Sequence, residues 1–149
     1  MKPLPPDVRV SETPVTVRSY ELDSFGHVNH AVFLNYFELG RFEALREGGF
    51  PYQRIVERGW GVYVVRIEVD YLAEARLDDR LLVRTWLEGY RRSSTILGQE
   101  IVPLDDAGRT LARARVTAVW VGADRRPMKV PDEVHAALGP PASPPADRP

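Results

Sequence analysis

The sequence predicts an α+β protein in which a curled, five-stranded antiparallel sheet wraps around one long central helix. Three observations carry that expectation. One strand-like run precedes a long apolar helix and four more strand-like runs follow it, an order that builds a layered α+β domain. The helix is apolar over more than half its circumference, so it is wrapped on several sides rather than laid on a surface. Three of the later runs set an apolar face against a charged one, the mark of an antiparallel sheet with one side in water.

The elements follow in chain order. Residues 1–14 read as an N-terminal tail rich in proline, and residues 139–149 as a second one; "PPASPPADRP" has five prolines in ten residues and cannot hold a ladder. The folded domain is expected over residues 15–138, opening with "VTVRSY" (15–20) as a short strand. Residues 29–48 contain no proline and end on a glycine pair, which suits a helix with a glycine stop. Gly40 in its middle costs ~1 kcal/mol against alanine, and close approach of another backbone is the expected compensation. "GVYVVRIEVDYL" (61–72) alternates Tyr63, Val65, Ile67, Val69 and Tyr71 with Arg66, Glu68 and Asp70. "DRLLVRTWLEGY" (79–90) sets Leu81, Val83 and Leu87 against Arg80, Arg84 and Glu88. "STILGQEIVPL" (94–104) is less regular, and "TLARARVTAVWV" (110–121) alternates small and apolar residues with Arg113, Arg115 and Thr117.

Bulk properties narrow the function. At 149 residues the chain is one domain with room for a core. A formal charge of -1 offers nucleic acid or an anionic membrane no electrostatic handle. With no cysteine, disulfides, thiolate catalysis and cysteine-ligated metals are excluded. No apolar leader opens the chain and no run of 18 apolar residues occurs, so a cytoplasmic setting is expected.

The chemistry concentrates in "LDSFGHVNHAVFLNYFE" (22–38), where Asp23, Gly26, His27, Asn29 and His30 crowd the start of the most apolar helix. A helix N-terminus offers unpaired N–H groups and a partial positive charge. An acyl carbonyl placed there finds its oxyanion stabilised, and Gly26 lets the backbone approach a ligand. Asp23 beside it is able to act as general base on water or as a nucleophile. Asn29 reads as the helix cap, with a place among the substrate-binding residues as the alternative. Glu38 and Arg41, three apart, read as a local ion pair. His27 and His30 lack a further ligand pair at matching spacing, so no metal is expected.

In element order and local motifs, residues 15–138 resemble the hot-dog fold acyl-CoA thioesterases of the 4-hydroxybenzoyl-CoA thioesterase type. The segment 23–38 resembles that family's aspartate loop, its Gly-His-Val-Asn and its central helix. "VDYLAEARLDDRLLV" (69–83) is similar to the family's turn between the second and third strands, although many members carry proline and Gly-Asp there. "GYRRSST" (89–95) resembles a basic turn that contacts coenzyme A in some members, and "RRPMKVPDEVHAAL" (125–138) resembles the usual strand exit and short terminal helix. The resemblance implies Asp23 as catalytic carboxylate and the backbone N–H of His30 as carbonyl donor. Through the more distant plant acyl-carrier-protein thioesterases it implies His27, with Glu74, as members of a catalytic network in which Phe25 replaces an asparagine. His27 stands between that role and a structural hydrogen bond across the loop, and Glu74 between it and a turn or interface charge. Arg91, Arg92 and Ser93 are implied contacts for the phosphates of coenzyme A, which forked guanidinium groups suit.

The expected activity is hydrolysis of an acyl- or aroyl-CoA thioester to free acid and coenzyme A, with no cofactor beyond the coenzyme A of the substrate. An acyl-carrier-protein thioesterase and a non-catalytic acyl-thioester binding protein are the alternatives on the same fold. A hot-dog hydratase needs a histidine–acid pair that is set differently along the fold. Open sheet edges invite pairing, and the resemblance implies sites completed between subunits, so a homodimer or homotetramer is expected.

Overall fold

The structure, a computed structural model, describes residues 3–143. Five strands form one antiparallel sheet in the order β1-β3-β4-β5-β2: β1 Ser11–Thr16, β2 Gly61–Tyr71, β3 Arg80–Tyr90, β4 Ser94–Pro103 and β5 Ala112–Val121. The helix α1, His30–Glu47, packs against β1, β3 and β4, flanked by the short helices α2, Tyr52–Glu57, and α3, Asp132–Leu138. The hot-dog architecture predicted from the sequence is the one observed.

Its local reasons are legible in the residues. α1 starts where the Asn29 side chain accepts the Ala31 N–H at 2.9 Å, and it ends at Gly48. Phe33 and Phe37 on α1 meet Leu81 and Val83 of β3, Ile101 of β4 and Val116 of β5 in one buried cluster. A second cluster forms under the other end of α1, where Leu45, Phe50 and Ile55 meet Leu97, Trp120 and Val134. α2, not expected from the sequence, exists because Ile55 buries into this cluster while Pro51 presets its entry.

Several expectations are corrected. The first strand lies at Ser11–Thr16 rather than 15–20, and Ser19–Glu21 is a 3₁₀ turn. Its inward residues Ser11 and Thr13 are buried but polar, so they left no apolar alternation to read. Pro14 is tolerated because β1 is an edge strand. In β2 the register shifts between Val64 and Arg66, so Val65 is extra. Ile67 and Val69 reach the core, whereas Tyr63 and Val65 are half-exposed or more.

Gly40 does face a close neighbour, but that neighbour is side chains. A Cβ there would lie 2.6 Å from Val83 Cγ1 and 2.9 Å from Thr85 Oγ1. Beside them the buried Gln99 donates to the Phe37 carbonyl at 2.8 Å and to Thr85 Oγ1 at 2.9 Å. Arg41 donates to Gln99 Oε1 at 3.1 Å in place of an ion pair with Glu38, and burial lowers its guanidinium from the ordinary value against the raising charge of Glu38.

The outer sheet face is also drier than its charges suggested. Trp86 lies over Gly98 and is buried, and Glu100 is buried in a pair with Arg84. Ala142 and Ser143, from the tail expected to be unpaired, donate backbone N–H groups to the carbonyls of Leu87 and Glu88, where β3 bulges.

Candidate active site

The segment from Leu22 to Asn29 forms a tight loop that the sequence itself folds. Asp23 Oδ1 accepts the Phe25 N–H at 2.9 Å and the His27 N–H at 3.2 Å. The Asp23 N–H donates to the His27 carbonyl at 2.7 Å. Gly26 takes a φ of +79°, a left-handed conformation that closes the turn and disfavours any side chain. Val28 and Asn29 anchor the loop from behind, donating to the carbonyls of Ala75 and Glu21. The Asp23 carboxylate is thus held through one oxygen. Its other oxygen meets no protein donor among the described residues.

The loop delivers the chain into α1 with one donor left over. The Ala31 N–H goes to Asn29 Oδ1, and the Val32 and Phe33 N–H groups go to the Asn29 carbonyl at 2.9 and 3.4 Å. The His30 N–H finds no acceptor among the described residues. It is a first-turn amide at the positive end of the helix, seven residues after Asp23, whose side chain is partly exposed. The hydroxyl of Tyr71 donates to the His30 carbonyl at 2.9 Å, a contact between β2 and α1 that sequence reading missed.

His27 and Glu74 meet across the loop. Their Nε2 and Oε2 atoms are 2.5 Å apart, both side chains partly exposed. Backbone bridging between His27 and Arg76 brings the two segments into register. Arg76 donates to Glu74 Oε1 from Nη2 at 2.6 Å and from Nε at 3.2 Å. These hydrogen bonds hold the Glu74 carboxyl below the usual carboxylate range against some desolvation, with the charges of Arg76, His27 and Arg109 adding to the effect.

Asp23, Gly26, His27, Asn29, His30 and Glu74 are therefore gathered at one end of the sheet. Arg91, Arg92 and Ser93 are not. They form the β3–β4 turn, tied by the Arg91 N–H to the Ser94 carbonyl and by the Trp120 N–H to the Ser93 carbonyl. The end of β3 beside the loop is Arg80, which pairs with Thr16; the far end is Tyr90, beside the arginines. At roughly 3.3 Å per residue, β3 separates the two groups by about 30 Å. Phe33, one turn into α1, stands beside Tyr71 at 5.7 Å between ring centroids. Phe37 is wholly buried in the core, and Trp60 stacks on Phe50 in the second cluster. Among the described residues, no three His, Cys, Asp or Glu side chains are grouped to hold a metal ion, and no helix is long and apolar enough to cross a membrane.

A five-stranded antiparallel sheet curled around one central helix makes this a hot-dog-fold protein. The chain belongs to the thioesterase-like superfamily, whose family model matches residues 17–138, and its enzyme class is thioester hydrolase. It is 34% identical over 126 residues to the acyl-CoA thioesterase YbgC of Haemophilus influenzae, covering 84% of this chain and 91% of that one. The chloroplastic acyl-acyl carrier protein thioesterase ATL2 of Arabidopsis thaliana is 32% identical over 128 residues, 86% of this chain and 68% of the plant protein. Among solved structures, the hypothetical protein TT1821 from Thermus thermophilus superposes with a TM-score of 0.79 at 28% identity, covering 86% of this chain and 96% of that one.

Proposed function

We propose that this protein hydrolyses acyl-CoA thioesters, with Asp23 as the base or nucleophile and the His30 N–H as oxyanion donor. The observation that carries the reading is the pairing of a carboxylate bearing a free oxygen with an unspent helix N-terminal amide a few residues on. The thioester oxygen sits against the amide, where developing negative charge is stabilised by a donor that needs no reorganisation. Asp23 then takes a proton from the attacking water, or attacks the carbonyl itself. Thiolate leaves readily, so no strong general acid is required, and no cofactor beyond the coenzyme A of the substrate takes part. His27, paired with Glu74, borders the same space and orients the water or the acyl group.

The distance to Arg91 and Arg92 fits a shared site. β2 is a free edge of eleven residues. Antiparallel pairing of two β2 edges about a two-fold axis sets the Tyr71 end of one beside the Gly61 end of the other. The arginine turn lies at the Gly61 end, since Gly61 pairs with Val121 and Ser94 with Val119. The partner subunit's Arg91 and Arg92 are then available to the phosphates of coenzyme A bound at Asp23. The active unit is an isologous dimer working in the cytoplasm, and light scattering at assay concentration checks it: a fully active monomer would contradict the shared site.

The His27–Glu74 contact also supports a second substrate class, acyl-carrier-protein thioesters, because it matches the pair implied by the plant resemblance. A panel of acetyl-, palmitoyl- and benzoyl-CoA, run beside the same acyl groups on carrier protein and followed by free thiol release, separates the two. Absence of turnover on the whole panel would sink the hydrolase reading.

A further inference from the structure

Tyr71 ends β2, and its hydroxyl bridges 41 positions of sequence to the first residue of α1. The strand end that carries it is firmly held. The Leu72 and Ala73 N–H groups both donate to the Leu111 carbonyl, at 2.8 and 3.0 Å. The Tyr71 ring adds edge-on contacts to Phe33 and to the His30 imidazole, with centroids 5.7 and 6.4 Å away.

The bond acts on the peptide groups around His30. The peptide joining Asn29 to His30 is held at its oxygen by the Val32 and Phe33 N–H groups. The next peptide is held at its N–H by Asn29 Oδ1 and at its oxygen by the Tyr71 hydroxyl. Both planes flanking the His30 Cα are thereby pinned, and the one group left over is the His30 N–H. Helix ends fray when nothing holds them. An oxyanion donor is effective when its place is set before charge develops.

We infer that Tyr71 is a positioning residue for the reaction: its hydroxyl clamps the start of α1 to the sheet edge and so fixes the His30 N–H toward the thioester carbonyl. The inference rests on the reading of that N–H as oxyanion donor. The hydroxyl itself touches no reacting atom. Removing it slackens the donor in the transition state and leaves the coenzyme A contacts alone, so kcat falls while KM holds.

The test compares the wild type with Tyr71→Phe, which keeps the ring contacts, and with Tyr71→Leu, which loses them too. Tyr71→Phe is expected to lower kcat about tenfold, equivalent to ~1.4 kcal/mol, with KM within about twofold. Hydrogen exchange at the Ala31 amide, read by NMR in the substrate-free protein, should accelerate in both variants, and only Tyr71→Leu should lose marked thermal stability. Wild-type kcat in Tyr71→Phe, or a kcat loss without faster Ala31 exchange, overturns the positioning role. If the wild type releases no thiol from any substrate, the hydrolase reading has failed on its own. The exchange data then decide the clamp: faster exchange supports it, and unchanged exchange overturns it.

Discussion

Replacing Asp23 by asparagine separates chemistry from architecture at this site. The aspartate accepts two loop amides through one oxygen, from Phe25 at 2.9 Å and His27 at 3.2 Å. An asparagine oxygen takes the same two bonds in the same place, and only the charge is lost. Bonds to a charged acceptor exceed neutral ones by roughly 1 kcal/mol each. Stability should therefore fall by no more than about 2 kcal/mol, or some 4–8 °C in a domain of this size. The amide cannot accept a proton from water or attack a carbonyl, and the loss of such a group lowers turnover by about 10²–10⁴. Asp23→Ala removes the oxygen that accepts both bonds as well and should melt lower still, with a similar kcat. Thiol release at saturating acyl-CoA gives kcat, and a thermal melt gives the structural cost. An Asp23→Asn enzyme within about fivefold of the wild-type kcat would refute the assignment, since no base or nucleophile is that dispensable.

Replacing Arg91 and Arg92 together by alanine should raise KM for acyl-CoA, with little effect on a short thioester that lacks the nucleotide; equal effects on both substrates would point to a purely structural turn. Glu74 has a depressed folded pKa, so its contribution to stability is present above the ordinary carboxylate range and is lost as pH falls through the lower folded value. The melting-temperature gap between the wild type and Glu74→Gln should accordingly be open at neutral pH and close on acidification, and a gap that widens in acid would reverse the sign of the argument. Gly40→Ala gains ~1 kcal/mol of helix propensity but drives a Cβ to 2.6 Å from the buried Val83. Such overpacking costs about 1–3 kcal/mol, so denaturant melts should show equal or lower stability and no gain.

The curled sheet and its central helix were legible because their signals are local. An all-round apolar helix has to be wrapped, and alternating strands supply the wrapping. The crowded helix entrance was legible for the same reason. Asp23, Gly26 and Asn29 act on backbone groups within a few positions of themselves, so their types and spacing nearly specify the loop. β1 was misplaced because its buried residues Ser11 and Thr13 are polar, and one of them is held by a partner remote in sequence: Ser11 donates to Glu47 at 2.8 Å. The bulge at Val65 was invisible because a run of apolar residues reads equally well in either register.

Residues 22–38 by themselves determined that a loop built on a carboxylate would lead into an open helix N-terminus, since turn, cap and helix are all short-range consequences of the chain. Only the tertiary structure decided what surrounds that pair. It brought Glu74 to His27 and Tyr71 to His30, and it sent Arg41 to the buried Gln99 rather than to its helical neighbour Glu38. It also placed Arg91 and Arg92 at the opposite end of the sheet. Each of these outcomes depends on which strands lie side by side and in what register. That choice is made by burial summed over the whole sheet, and no single stretch of sequence contains it.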